Sequence, residues 1–150
     1  MRVAIAADHA GYDLKEAIEA RLLSLGHEVE DCGARAFEPD DDYVGFCAAA
    51  ARMVSRGDAD RAIVIGGSGQ GEAMVANRFR GVRCAVWYGG DPALVRLSRE
   101  HNDANGLSLG ARFVGVAEAI QAVEMWLAVP FSGESRHARR IGRLEEEAGA

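Results

Sequence analysis

Residues 66–72 read Gly-Gly-Ser-Gly-Gln-Gly-Glu and follow an apolar run, Ile63 to Ile65. Glycines after a buried strand leave backbone N–H groups free of side chains, as phosphate-binding loops do. This stretch lacks both the GxGxxG dinucleotide fingerprint and the GK[ST] ending of a P-loop. Moreover, Glu72, read as the first residue of the next helix, would repel a phosphate. Bare N–H groups beside a carboxylate suit a carbon acid instead: the amides form an oxyanion hole and Glu72 acts as general base. Composition alone leaves a second reading open, in which Glu72 is a favourable charge at a helix N-terminus.

Other residues have the types for chemistry, each with a plainer alternative. Asp8 and His9 follow the first apolar run, where they contact a ligand or serve as a helix cap and a solvated ring. His101 with Asn102 closes a helical stretch, for acid–base work on an oxygen or to complement the helix dipole. Arg136, His137, Arg139, Arg140 and Arg143 recur at helical spacing. They form either a phosphate-binding face or a solvated one balanced by Glu145, Glu146 and Glu147. His9, His27, His101 and His137 make no H-x-x-x-H pair, so no metal site is expected. Cys32, Cys47 and Cys84 form no C-x-x-C and are expected to be buried small hydrophobes.

Positioning these groups is the task of an alternating pattern. "RVAIAA", "HEVEDCG", "RAIVIGG", "VRCAVW" and "GLSLG" read as strands. "DLKEAIEARLLSLG", "DDYVGFCAAAARMVSRG", a short stretch from Glu72, "PALVRLSREHN", "VAEAIQAVEMWLA" and a basic C-terminal stretch read as helices. Such a βαβ rhythm predicts an α/β fold, a three-layer α/β/α sandwich on a five-stranded parallel sheet, Rossmann-like. Ligands bind such sheets at the carboxyl ends of the strands. "DHAGYD", "GGSGQGE", "REHNDAN" and "LGAR" are all expected along that edge.

The 150 residues suit one domain, 1–150, ending in a basic helix at about 134–147. With 49% hydrophobic and 27% charged residues the composition is that of a soluble globular protein, and a net charge of −6 argues against nucleic-acid binding. No run has the length of a membrane span and no signal-peptide core opens the chain, so a cytoplasmic location is expected.

With "ADHAGYDLK", "DDDY", "GGSGQGE…AN", "REHNDANGLSLGAR" and "RHARR" in order over nearly the whole chain, the sequence resembles the RpiB/LacAB family of sugar-phosphate isomerases. The resemblance implies interconversion of ribose 5-phosphate and ribulose 5-phosphate, without metal or cofactor. It implies a homodimer or a dimer of dimers whose active sites are shared between subunits. Carried onto this chain, Asp8 and His9 contact substrate, Tyr43 walls the pocket, and Gly67, Ser68, Gly69 and Gly71 hold an enediolate, with Ser68 near the reacting oxygens. His101, helped by Asn102, opens the sugar ring from the neighbouring subunit. Arg112, Arg136 and Arg140 clamp the phosphate with His137 close by. One branch of the family has a cysteine base where this chain has Gly66, whereas another has a glutamate that Glu72 matches. Isomerisation of a phosphorylated hexose such as allose 6-phosphate, or a non-catalytic nucleotide-binding module, are the alternatives.

Overall fold

The computed structural model describes residues 1–147, apart from the side chain of Glu145. Residues 148–150, and pairing by Glu145, lie outside the described residues. Five strands, β1 (Arg2–Ala7), β2 (Glu28–Asp31), β3 (Arg61–Gly66), β4 (Cys84–Trp87) and β5 (Gly106–Gly110), form one sheet in the order β2-β1-β3-β5-β4, with every pairing parallel. The helices are α1 (Tyr12–Ser24), α2 (Tyr43–Arg56), α3 (Gln70–Ala76), α4 (Ala93–Asn102), α5 (Val116–Ala128) and α6 (Ser135–Glu147). β4 is shorter than its apolar run suggests, because Val82 and Arg83 precede the ladder. α3 begins at Gln70, two residues before the expected start, so Glu72 is the third residue of its first turn.

The central strands are buried on both sides, and the pleat sorts their side chains by size. Val3, Ile5, Ala7, Ile63, Ile65, Leu107 and Leu109 pack with Leu14, Ile18 and Leu22 of α1 and Val123 and Trp126 of α5. Ala4, Ala6, Ala62 and Val64 face the other way, toward Cys47 and Ala50 of α2. Small residues on both partners let α2 approach closely, while the large aliphatics each contribute about 1.5–3 kcal/mol on the thicker side. Cys47 is thus the buried small hydrophobe expected, whereas Cys32 and Cys84 are half-buried; all three are free. Lys15, fully buried, ties α1 to the end of β2 through Asp31 at 2.9 Å.

From β1 the chain steps outward to β2 and then returns to the other side of β1 for β3. The carboxyl ends of β1 and β3 therefore flank the point where the winding direction reverses, and a crevice opens there.

Candidate active site

Three of the four loops expected to carry chemistry meet at that crevice. A cleft of about 490 Å³ is lined by Asp8, His9 and Ala10 after β1, Gly67, Ser68, Gly71 and Glu72 after β3, Tyr43 at the start of α2, and Arg112 and Phe113 after β5. Two larger grooves, each of about 600 Å³, flank the edge strands β2 and β4 and contain none of these residues.

Glu72 lies 4% exposed and has no cation paired with it among the described residues. Burial pushes its carboxyl above the usual carboxylate range. Its own backbone N–H draws it part of the way back, and the charge of Asp8 raises it further. The carboxylate rests against the backbone of Gly66, so a side chain there would begin inside the carboxyl group. A cysteine at position 66 and this placement of Glu72 are therefore sterically exclusive. The glycine in β3 is what makes room for the acid.

The loop before α3 is held by its neighbours. Gly69 takes φ +78, the left-handed region open to glycine, and its carbonyl accepts a 2.5 Å hydrogen bond from the buried hydroxyl of Ser108 in β5. Ala111 and Arg112 donate their N–H groups to the carbonyls of Gly66 and Gly67. So anchored, the loop leaves the N–H groups of Ser68 and Gly69 without an acceptor among the described residues. The guanidinium of Arg112 lies over Gly67, and the Tyr43 hydroxyl lies over Gly71, where any side chain would displace it.

Asp8 and His9 are neither a cap nor a solvated ring. α1 is capped by Gly11 without a side-chain bond. Asp8 Oδ1 instead accepts from the N–H groups of Ala10 and Gly11, at 3.0 and 3.3 Å. The ring of His9 sits 2.8 Å from Asp41 Oδ1. That hydrogen bond raises the histidine's pKa; partial burial opposes the rise and Asp8 adds to it. Asp8, His9 and Asp41 bring one potential metal-ligand atom each within 4.8 Å of one another. Asp41 already engages Nδ1 of His9, and two backbone amides engage Oδ1 of Asp8.

Asp41, Ser108 and Phe113 were not anticipated as contributors. "DDDY" presents three aspartates that spacing cannot tell apart. Asp42 proves to be the N-cap of α2, accepting from the Val44 N–H, while Asp41 reaches His9. Ser108 looks like one more core position of an apolar strand.

The remaining expected site residues are elsewhere, which corrects the expectation of a single edge. A helix crossing back over a parallel sheet ends at the edge where the next strand begins, and α4 does so. Asn105, three residues past it, gives its carbonyl to the N–H of Ala62 at the start of β3, and Asp103 holds Arg83 just before β4. His101 and Asn102 therefore lie at the amino edge, separated from Glu72 by the length of the sheet. His101 stacks on His137 of α6, with ring centroids 4.2 Å apart and planes 11° apart. His137 is buried rather than solvated, and burial lowers its pKa. Arg136 pairs with Glu134 at 2.8 Å, Arg143 pairs with Glu147 at 3.2 Å, and Arg140 is exposed. Asp103, left-handed at φ 44, bridges Arg83 and Arg99, and Asn105 clamps the Arg83 backbone. Half of the "REHNDAN" motif is thus the frame of the turn that carries His101.

A doubly wound parallel sheet with a buried carboxylate, unpaired among the described residues, over a glycine loop at its switch point is the arrangement of an α/β enzyme suited to acid–base chemistry. The chain belongs to the ribose/galactose isomerase family, whose model matches residues 3–144. It is 45% identical over 146 residues to ribose-5-phosphate isomerase B of Mycobacterium tuberculosis H37Rv, covering 97% of this chain and 89% of that protein. The Escherichia coli K12 protein of the same name is 38% identical over 140 residues, 93% of this chain and 91% of that one. Among solved structures, ribose-5-phosphate isomerase B of Clostridium thermocellum matches with a TM-score of 0.94 at 42% identity, over 99% of this chain and 98% of that one. The Mycoplasma genitalium enzyme with bound ribulose-5-phosphate matches with a TM-score of 0.93 at 36% identity, over 99% and 96%.

Proposed function

We propose that this chain interconverts D-ribose 5-phosphate and D-ribulose 5-phosphate, with Glu72 as the base that moves the proton. In the open-chain aldose Glu72 removes the proton from C2. The electron pair forms the C1–C2 double bond and the charge passes to O1, giving a cis-enediolate. A hydroxyl proton then shifts from O2 to O1, and Glu72 returns its own proton to C1, leaving the ketone at C2. In this reading the free N–H groups of Ser68, which lines the cleft, and of the adjacent Gly69 stabilise the oxyanion, with the Ser68 hydroxyl beside the exchanging oxygens. Asp8, His9 and Tyr43 hold the hydroxyl groups of the sugar.

One observation carries this reading: a carboxylate buried in the cleft with no counter-ion among the described residues. Burial of that kind weakens a fold, and it raises the basicity of the group toward what proton abstraction at carbon requires.

His101, Asn102, Arg136, His137 and Arg140 belong to the same reaction through a second copy of the chain. β5 alone spans ~13 Å at ~3.3 Å per residue, so one chain cannot bring both edges of its sheet to a single sugar. A two-fold dimer can, by setting the amino-edge cluster of each copy over the carboxyl-edge cleft of the other. In that arrangement His101 and Asn102 open the ring, and Arg136 and Arg140 join Arg112 on the phosphate with His137 beside them. The unpaired edge of β4 and the exposed side chains of Met74, Val86 and Tyr88 beside it offer an apolar surface for such an assembly.

Coupled assays over pentose and hexose phosphates, with an ATP titration alongside, test the function. Turnover of ribose 5-phosphate is expected. Binding of ATP without turnover of any sugar phosphate would overturn the reading, and a preference for allose 6-phosphate would correct its substrate.

A further inference from the structure

The segment joining β2 to α2 sends one side chain back into the cleft. Asp41 Oδ1 accepts the backbone N–H of His9 at 2.8 Å and lies 2.8 Å from the ring Nδ1 of the same residue. An ionised carboxylate only accepts, so Nδ1 is the donor and carries a proton. Two hydrogen bonds to one oxygen fix both the main chain and the ring plane of a residue 32 positions away. The Asp41 side chain is only 10% exposed, and its second oxygen, Oδ2, is buried without a hydrogen-bond partner among the described residues. Leaving an acceptor unpaired inside a fold is costly, and the bonds to His9 are the ones Asp41 makes in return.

The cleft side of His9 is set by the same arrangement. With Nδ1 engaged, Nε2 is the nitrogen left to act in the cleft that His9 lines. Phe37 meets the ring edge-on at 6.5 Å and also lies edge-on to Tyr12 of α1. The charges facing His9 are Asp41 from the β2–α2 segment, Asp8 from the end of β1 and Arg112 from the segment after β5. The two carboxylates favour the imidazolium and the guanidinium disfavours it.

We propose that Asp41 is a positioning residue: it locks His9 in the Nδ1–H form and presents Nε2–H of the imidazolium as a fixed donor to an oxygen of the bound substrate. The role in turnover rests on the isomerase reading above, whereas the pairing itself does not. Removing the charge at residue 41 while keeping its shape removes the main support of the imidazolium, so His9 then loses its proton at a lower pH. An asparagine there still accepts the His9 backbone N–H, which keeps the segment in place.

The test labels the four histidine rings with ¹⁵N and assigns His9 by its loss in His9→Gln. In the unmutated protein the neutral form of His9 is expected to keep its proton on Nδ1; a proton on Nε2 overturns the proposal without any variant at position 41. In Asp41→Asn the His9 titration is expected to move to lower pH, the alkaline limb of kcat/KM to move with it, and Asp41→Glu to restore both. A folded Asp41→Asn protein whose His9 titration and kcat/KM limb stay where they were would show that Asp41 only anchors the segment. Failure of the protein to turn over any sugar phosphate would sink the isomerase reading and leave the ring measurement to decide the pairing.

Discussion

The two edges of this sheet hold the polar residues of the chain in opposite ways. At the carboxyl edge Asp8 and His9 are engaged, by backbone amides and by Asp41, but the groups around the loop before α3 are left open: among the described residues Glu72 has no counter-ion, Ser68 and Gly69 keep free N–H groups, and Arg112 lies over Gly67 without an ion pair. At the amino edge most are tied together, Asp103 to Arg83 and Arg99, Arg136 to Glu134, His101 against His137. An edge with open valences is shaped to receive a ligand. An edge with closed ones is shaped to hold a few side chains in fixed directions, which suits the lending of groups to a second copy proposed above. The difference is what the proposed sharing of sites between two copies would require of one chain that contains all the family's motifs.

The sharpest way to break the comparison is at Glu72. Glu72→Gln keeps shape and loses the base, and is expected to lower kcat by about 10²–10⁴-fold with little change in substrate binding. Stability should move the other way. The folded-state pKa of Glu72 is raised, so its contribution to stability is fully present below the unfolded carboxyl range and is lost as pH rises through the folded value. At neutral pH the glutamine protein should therefore melt above the wild type, as expected where an unpaired charge is retained for function. A lower Tm, or near-normal turnover, would show that Glu72 is a structural acid.

A smaller loss is expected at Gly66. Gly66→Ala puts a methyl where the Glu72 carboxyl lies and must push the base aside. Displacement of about 1 Å costs on the order of 10²-fold in rate. Combined with Glu72→Gln the alanine should add little, because both changes remove one function. Full additivity in that double mutant would disconnect the two positions.

Arg112→Ala should act on binding more than on chemistry. Loss of a charge-assisted contact of about 1.5–3 kcal/mol raises KM roughly 10- to 100-fold while kcat falls less. An effect on kcat alone would move Arg112 from the phosphate to the reacting carbons.

Much of this was legible in the sequence, and the gaps have physical causes. Strand runs and glycine punctuation located the sheet, and the rule for parallel sheets located the cleft between "DHAGYD" and "GGSGQGE". The same rule misplaced "REHNDAN", because a motif at the end of a crossover helix belongs to the opposite edge from one that follows a strand. His137 reads as a solvated face residue from its arginine neighbours, yet it is buried because α6 packs on α4. Asp41 and Ser108 act through contacts 32 and 39 residues away, and no local pattern reports those.

The central claim is that the two edges complete each other between chains. Inactive Glu72→Gln and inactive His101→Asn proteins, unfolded and refolded together in equal amounts, give mixed dimers in about half of the pairings. In each mixed dimer one site carries both defects and the other neither, so roughly a quarter of wild-type isomerase activity should return. If a tag pull-down shows that mixed dimers have formed and no activity returns, Glu72 and His101 do not meet across an interface and the account is contradicted.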